Sequence, residues 1–255
     1  ICHCLVGSEM CIRDRGGTNT GVSVDADGVL SGSKFMVPDA AQATWIAVVG
    51  SDAAGDAVVA LVGGSDVTAQ AQASHALIDL TKRASTLDFT GVKAQRVLSG
   101  DKVASAIRDY LLIGALLTAA EAVGSTSACL AGIVDYLKTR KQFGKLIGSF
   151  QALKHPTVDI YVGMEHSRSL VYHASSEIDD GPLSTEAEVA CRMAKAKASD
   201  TIQYAGDRSV QFHGGFGFTW ECDSSLFIRR AAWSQQQFGD AMHHRKRLAP
   251  LLLDA

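Results

Sequence analysis

The sequence predicts an α+β chain, with a small antiparallel β-barrel or sandwich domain followed by a C-terminal four-helix bundle. Three observations lead there. From Gly21 to about Ala94 the chain is rich in Val, Gly, Asp and Thr, with short apolar runs separated by turn signals. After Gly100 the composition shifts to Ala, Leu and alternating charge, in patterns of helical length. The 255 residues are 47% hydrophobic, ample for a buried core and enough for one large or two modest domains. The expected division is 1–15 as an extraneous opening, 16–98 as the β-rich domain and 99–255 as the helical domain.

Residues 1–15 do not read like the rest. The run Cys4-Leu5-Val6-Gly7-Ser8-Glu9-Met10-Cys11-Ile12-Arg13-Asp14-Arg15 looks like translated sequencing-adapter sequence and is set aside from fold reasoning. With it go Cys2, Cys4 and Cys11, which beside His3 would otherwise suggest a metal site. Strands are then expected at 35–37, 45–49, 57–62 and 75–80, and a last strand and turn at 88–92. Asp27-Gly28, Pro38-Asp39, Gly50-Ser51-Asp52 and Gly63-Gly64-Ser65-Asp66 supply the turns between them.

Helices are expected at 102–138, 151–179, 184–213 and 224–252. The breaks fall at 144–149, at Asp179-Asp180-Gly181-Pro182 and at 214–219, with Ser184 as an N-cap and Glu186 in the first turn after it. Residues 110–134 approach the length of a membrane span, about 20 residues. Glu121, Ser125, Thr126 and Ser127 within that stretch, and the lack of a flanking charge asymmetry, predict a buried bundle helix instead.

A net charge of −3, from 24 basic and 27 acidic residues, gives no basic field for nucleic acid. Arg229-Arg230 and His243-His244-Arg245-Lys246-Arg247 are locally cationic, as a solvated helix face or as an attraction for the phosphates of a nucleotide-like ligand. Cys129, Cys191 and Cys222 are far apart and odd in number, which points to reduced thiols in a cytoplasmic protein. No secretory signal is evident. His155, His166, His173 and His213 lack metal spacing, and the adjacent His243 and His244 face different directions, so no metal site is expected. Neither a Gly-x-Ser-x-Gly elbow nor a phosphate-binding loop of the nucleotide hydrolases is present.

Two short motifs carry the chemistry. Thr139-Arg140-Lys141-Gln142-Phe143-Gly144, continuing to Gln151, closes a long helical pattern with a cation, an amide and an aromatic. An arginine there suits a pyrophosphate, because its planar fork donates two hydrogen bonds to phosphate oxygens. The second motif, Gln211-Phe212-His213-Gly214-Gly215-Phe216-Gly217-Phe218, places glycines directly after a helix, where backbone can approach a bulky ligand. It is not a dinucleotide fingerprint, which follows a strand and opens a helix. The plain structural readings are solvated C-terminal cations for the first motif, and for the second a glycine cap whose aromatics plug the core.

From about Gly21 to Leu253 this arrangement resembles the acyl-CoA dehydrogenases. The resemblance implies a β-rich middle domain, with Gly32-Ser33-Lys34-Phe35-Met36-Val37-Pro38-Asp39 in one of its strands, and a C-terminal helical domain. It also implies FAD as cofactor. Arg140 and Gln142 would then reach the pyrophosphate of a FAD bound mainly by a neighbouring subunit, with Phe143 against the flavin edge and Gln151 ending the motif. Gln211, Gly214 and Gly215 match the segment that contacts the adenine-ribose and pyrophosphate end. An acyl-CoA thioester as substrate, a homo- or hetero-dimer or tetramer, and an electron-transfer acceptor follow from the same resemblance. The family's N-terminal helical domain has no counterpart here, so the sequence reads as a fragment.

Family chemistry removes the substrate's α-proton with a glutamate that stands just before a glycine. Here Phe238 precedes Gly239. A second family position for the base, on the first bundle helix, aligns with Gly114. Neither residue takes a proton, and the nearest carboxylates in sequence are Glu121 and Asp240. Met36 and Pro38 stand where the family often has Trp and Thr against the flavin. Two functions are expected: a FAD-dependent acyl-CoA dehydrogenase, with room near Gly114 and Ala115 for a bulky substrate, or a non-catalytic subunit that completes the FAD site of a heteromeric one.

Overall fold

The computed structural model describes residues 3–6, 21–68 and 72–253. Cys2 and Cys11 lie outside them. The chain forms two compact units, Ile1–Tyr110 and Leu111–Ala255.

The first unit is built on strands β1 (His3–Val6), β2 (Val22–Val24), β3 (Leu30–Pro38), β4 (Trp45–Ser51), β5 (Ala57–Gly63), β6 (Gln72–His75), β7 (Ala84–Asp88) and β8 (Arg96–Leu98), with a short helix α1 (Gly64–Thr68) after β5. They follow one path, β6-β7-β3-β2-β4-β5-β8, with β1 beside β4. Burial alternates along β4 and β5, the period-two pattern of strands with one face inward. Ile46, Val48, Val58, Ala60 and Val62 thereby meet Val22, Leu30, Leu87 and Phe89 in one core.

Several details depart from expectation. β1 pairs with β4 in parallel, as does β2, so the sheet is mixed rather than wholly antiparallel. Among the described residues no pairing joins β6 to β8. The strand expected over 75–80 stops at His75, and the Asp79 carboxylate accepts from Thr81 N at 3.0 Å to form a side-chain turn instead. The strand and turn expected at 88–92 is a turn only. Asp88 closes β7, accepting from Thr90 N at 2.9 Å and Thr90 Oγ1 at 2.7 Å. β2 and β8, three residues each, are too short to show a period.

The second unit takes most of helix α2 (Asp101–Thr139) together with α3 (Gln151–Ser176), α4 (Thr185–His213), α5 (Ser224–Gln236) and α6 (Ala241–Leu253). A two-stranded ribbon, β9 (Lys141–Gln142) and β10 (Lys145–Leu146), separates α2 from α3. Its two-residue loop has φ of 52° at Phe143 and 73° at Gly144, the left-handed pair a tight hairpin demands. Ser184 caps α4 by accepting from Ala187 N at 3.0 Å. The single helix expected over 224–252 is two helices, because Phe238 and Gly239 take φ of 54° and 93°. The helix expected to run to 179 ends at Ser176.

Two apolar clusters hold this unit. One joins Leu112, Leu116 and Ala119 of α2 to Ala187, Cys191, Ala194 and Ile202 of α4. The other joins Cys129, Ile133 and Leu137 of α2 to Ile147, Ile160, Ala205 and Phe212. By length and composition α2 suffices to cross a membrane, and 28% of its most apolar window is buried within the chain. Cys129, Cys191 and Cys222 are free and buried.

Candidate functional site

The two signature motifs meet at the C-terminal end of α2. Helix α2 ends at Thr139, and Arg140 leaves it with its N–H on Tyr136 O at 2.9 Å and its carbonyl accepting from Ile147 N at 2.9 Å. The second motif closes α4. His213 there stacks on Tyr136 with ring centroids 4.1 Å apart, and its Nδ1–H donates to Ser209 O at 2.7 Å. Phe212 packs with Leu137 and Ile147 beneath them. An aromatic stack and one shared apolar cluster therefore hold two segments together that lie some seventy residues apart in sequence.

The polar groups at this corner point outward. Arg140, Gln142, Gln151 and Gln211 are exposed, and among the described residues their side chains form no hydrogen bond within the chain. Phe143 is 90% exposed and meets Phe150 edge-on at 6.2 Å. Gly214 caps α4 at φ 61°, and a Cβ added to Gly214 or Gly215 would meet nothing within 4 Å, so their backbone is open to a ligand. Phe216 and Phe218 are exposed rather than plugging the core, and the Arg229 guanidinium lies 3.7 Å from the Trp220 ring centroid. A cation, three amides and accessible backbone fit the anionic and hydrogen-bonding end of a dinucleotide.

Position 238 lies against Gly114 in the first half of α2. From Gly114 to Arg140 the helix rises about 39 Å, further than one dinucleotide spans. Phe238 holds a left-handed backbone, a costly placement for a bulky residue that surrounding contacts must enforce. A Cβ on Gly114 would overlap the Phe238 ring at Cε1, Cδ1 and Cζ. The two positions where a base is expected are thus filled by one ring resting on one glycine.

Neither nearby carboxylate takes over. Glu121 sits about 10 Å along α2 from Gly114 and pairs with Arg230 of α5. Asp240 is not on a helix face, as a continuous 224–252 helix would have it. It precedes α6 and caps it, accepting from His243 N at 2.7 Å. In the first unit Met36 lies in a bulge of β3 with φ 55°, Pro38 pairs with Ala84 of β7, and the half-exposed Phe35 ring lies 5.3 Å from His75.

Two residues around position 238 escaped the sequence reading. Lys195 of α4, 1% exposed, directs Nζ to Ser199 Oγ at 2.9 Å, Gly239 O at 2.9 Å, Ser234 O at 3.2 Å and Gln235 O at 3.4 Å. His244 of α6, 2% exposed, donates from Nε2 to Phe238 O at 2.9 Å, and its buried Nδ1 has no partner among the described residues. Burial, with Lys195, His243 and Arg192 nearby, drives the His244 pKa down to about 3, so the ring is neutral. Burial pushes the Cys129 and Cys191 thiols up to about 11. The signal for Lys195 was its place on the Ala187-Cys191-Ala194-Ala198-Ile202 stripe, where a charge cannot be solvated.

Comparison with known proteins converges on one family. The model of "Acyl-CoA dehydrogenase, C-terminal domain" matches residues 104–250. "Acyl-CoA dehydrogenase IpdE2" of Mycolicibacterium smegmatis is 39% identical over 134 residues, covering 52% of this chain and 40% of that protein. A glutaryl-coenzyme A dehydrogenase solved with glutaryl-CoA superposes with a TM-score of 0.88 at 22% identity, over 99% of this chain and 65% of that one. The ChsE4–ChsE5 complex of Mycobacterium tuberculosis gives a TM-score of 0.80 at 24% identity, over 92% and 63%. At such identities the structural likeness speaks for fold alone, while the domain model covers more than half of this sequence and takes in both signature motifs. The chain belongs to the acyl-CoA dehydrogenase family.

Proposed function

We propose that this chain takes part in the FAD-dependent α,β-dehydrogenation of an acyl-CoA thioester, within a dimer or tetramer that passes electrons to a separate acceptor. The observation that carries the reading is the corner at the end of α2, where Arg140, Gln142 and Gln211 present unengaged donors beside the open backbone of Gly214 and Gly215. Bound FAD would supply the acceptor for the substrate's β-hydride. Arg140 would hold its pyrophosphate through two parallel N–H bonds, with Gln142, Gln151 and Gln211 on neighbouring polar atoms and Phe143 against the flavin edge. Because this corner is about 39 Å from position 238, its cofactor would belong to a neighbouring subunit's active site. The outward face of α2, with Leu117 at 66% exposure, offers apolar surface for such an assembly.

A second reading is favoured by the Phe238 ring on Gly114. This chain would then be the non-catalytic half of a heteromeric dehydrogenase, completing a FAD site whose glutamate comes from a partner. The family likeness to a solved two-protein complex, ChsE4–ChsE5, supports it. We further read 16–98 as the β-rich middle domain, 99–255 as the helical domain and 1–15 as extraneous, and take the buried free thiols to favour a cytoplasmic setting.

The visible spectrum of the protein, purified alone and with a glutamate-bearing homologue and mixed with acyl-CoA, separates the readings. Flavin bleaching by the chain alone supports an autonomous dehydrogenase. Bleaching only with the partner supports the non-catalytic half. Absence of bound flavin in both preparations refutes both.

A further inference from the structure

We infer that Lys195 is a positioning residue for the acyl site, a buried cation on α4 that sets where the side chain at position 238 stands. Three backbone carbonyls of the α5–α6 junction, those of Ser234, Gln235 and Gly239, converge on its Nζ together with Ser199 Oγ. Ser234 and Gln235 lie in the last turn of α5, where the carbonyls gather the negative end of the helix dipole, and Ser234 O also accepts from Gln237 N at 3.3 Å. Gly239 O lies on the far side of Phe238, so the ammonium ties together the chain entering and leaving that residue. His244 fastens Phe238 O from α6. The left-handed backbone at Phe238 is therefore imposed by neighbours on two other helices. An ammonium suits this site because all four of these partners accept, and an apolar side chain would leave Gln235 O and Gly239 O without this donor.

The functional meaning of this device rests on the reading of 238 as the acyl-site position, but its test needs neither flavin nor substrate. 4-Fluorophenylalanine placed at position 238 of the whole protein reports the ring by 19F NMR. In the otherwise native protein it gives one resonance with a small H2O/D2O isotope shift. Lys195→Met moves that resonance toward the position of solvent-exposed fluorophenylalanine and raises the isotope shift, while far-UV circular dichroism stays unchanged. Lys195→Arg, which keeps the charge, gives a smaller displacement.

A folded Lys195→Met protein with an unmoved resonance overturns the inference. Should that variant not fold, the native protein decides through 15N-labelled lysine. A slowly exchanging Lys195 ammonium signal with a cross-peak to Gly239 Hα supports the clamp, and a rapidly exchanging signal without it overturns the clamp. Loss of flavin binding with these signals intact would count against the proposed function alone.

Discussion

The Phe238 ring occupies the space that a side chain on Gly114 would need. Gly114→Ala therefore gains helix propensity but overpacks the ring, at a cost of about 1–3 kcal/mol. Gly124, exposed on the same helix with nothing within 4 Å of an added Cβ, is the matched control. Gly124→Ala should stabilise the protein by up to about 1 kcal/mol. Urea unfolding should place Gly114→Ala below the control, and the double variant Gly114→Ala, Phe238→Ala should be more stable than the sum of the singles by about 1 kcal/mol. Additive singles would mean that the ring is not on the glycine.

If position 238 is the acyl-site position, Phe238→Glu supplies the group this chain lacks. The left-handed backbone is already imposed there, so the carboxylate enters a geometry that the protein maintains. A positioned general base contributes about 10²–10⁴-fold. Phe238→Glu, reconstituted with FAD, should bleach its flavin on adding acyl-CoA at least about a hundredfold faster than the native chain. Glu121→Gln and Asp240→Asn in the native chain should leave any bleaching rate unchanged. A large loss in either would identify a relocated base.

The Arg140 side chain stands apart from the fold's own bonding, so its replacement isolates a ligand effect. Arg140→Gln should leave the melting temperature of the flavin-free protein within a degree or so, since exposed substitutions cost little. The same change should weaken FAD binding roughly tenfold to a hundredfold, the worth of a charged hydrogen bond at about 1.5–3 kcal/mol. Fluorescence titration of FAD into the assembled oligomer measures it. Equal affinities would place Arg140 among merely solvated helix-end cations.

Much of this was legible in the residues, and the exceptions share a cause. The helices could be read because α2 and α4 keep apolar or small residues on one face through many turns, and Ser184 announces its cap chemically. The break between α5 and α6 could not, because Phe238-Gly239 offers no proline and a single glycine is tolerated within a helix pattern. Lys195 binds carbonyls on both sides of that break, Gly239 O lying 44 residues away along the chain, and tertiary pairing of that kind leaves no local mark. Met36 and its bulge escaped for the same reason, since Phe35-Met36-Val37 reads as one apolar run and the register shift needs β7 beside it. The corner at Arg140 was legible as two motifs, but not the Tyr136–His213 stack that joins them.

His244 gives the protein an acid limit that can be assigned to one ring. Its pKa falls from the ordinary histidine value of 6.5 to about 3 in the folded state, first through burial and then through Lys195, His243 and Arg192. The unfolded chain therefore binds a proton that the folded chain refuses between those two pH values. Stability from this group is complete above about pH 6.5 and falls as pH drops toward about 3, by about 1.4 kcal/mol per pH unit. Protonation also puts a donor on Nδ1, which is buried without a partner among the described residues. His244→Gln keeps an amide donor for Phe238 O and cannot titrate, so it should lose some stability at pH 7 but flatten the slope between pH 6 and pH 4. Urea unfolding across that range distinguishes the two proteins, and parallel slopes would show that the acid sensitivity resides elsewhere.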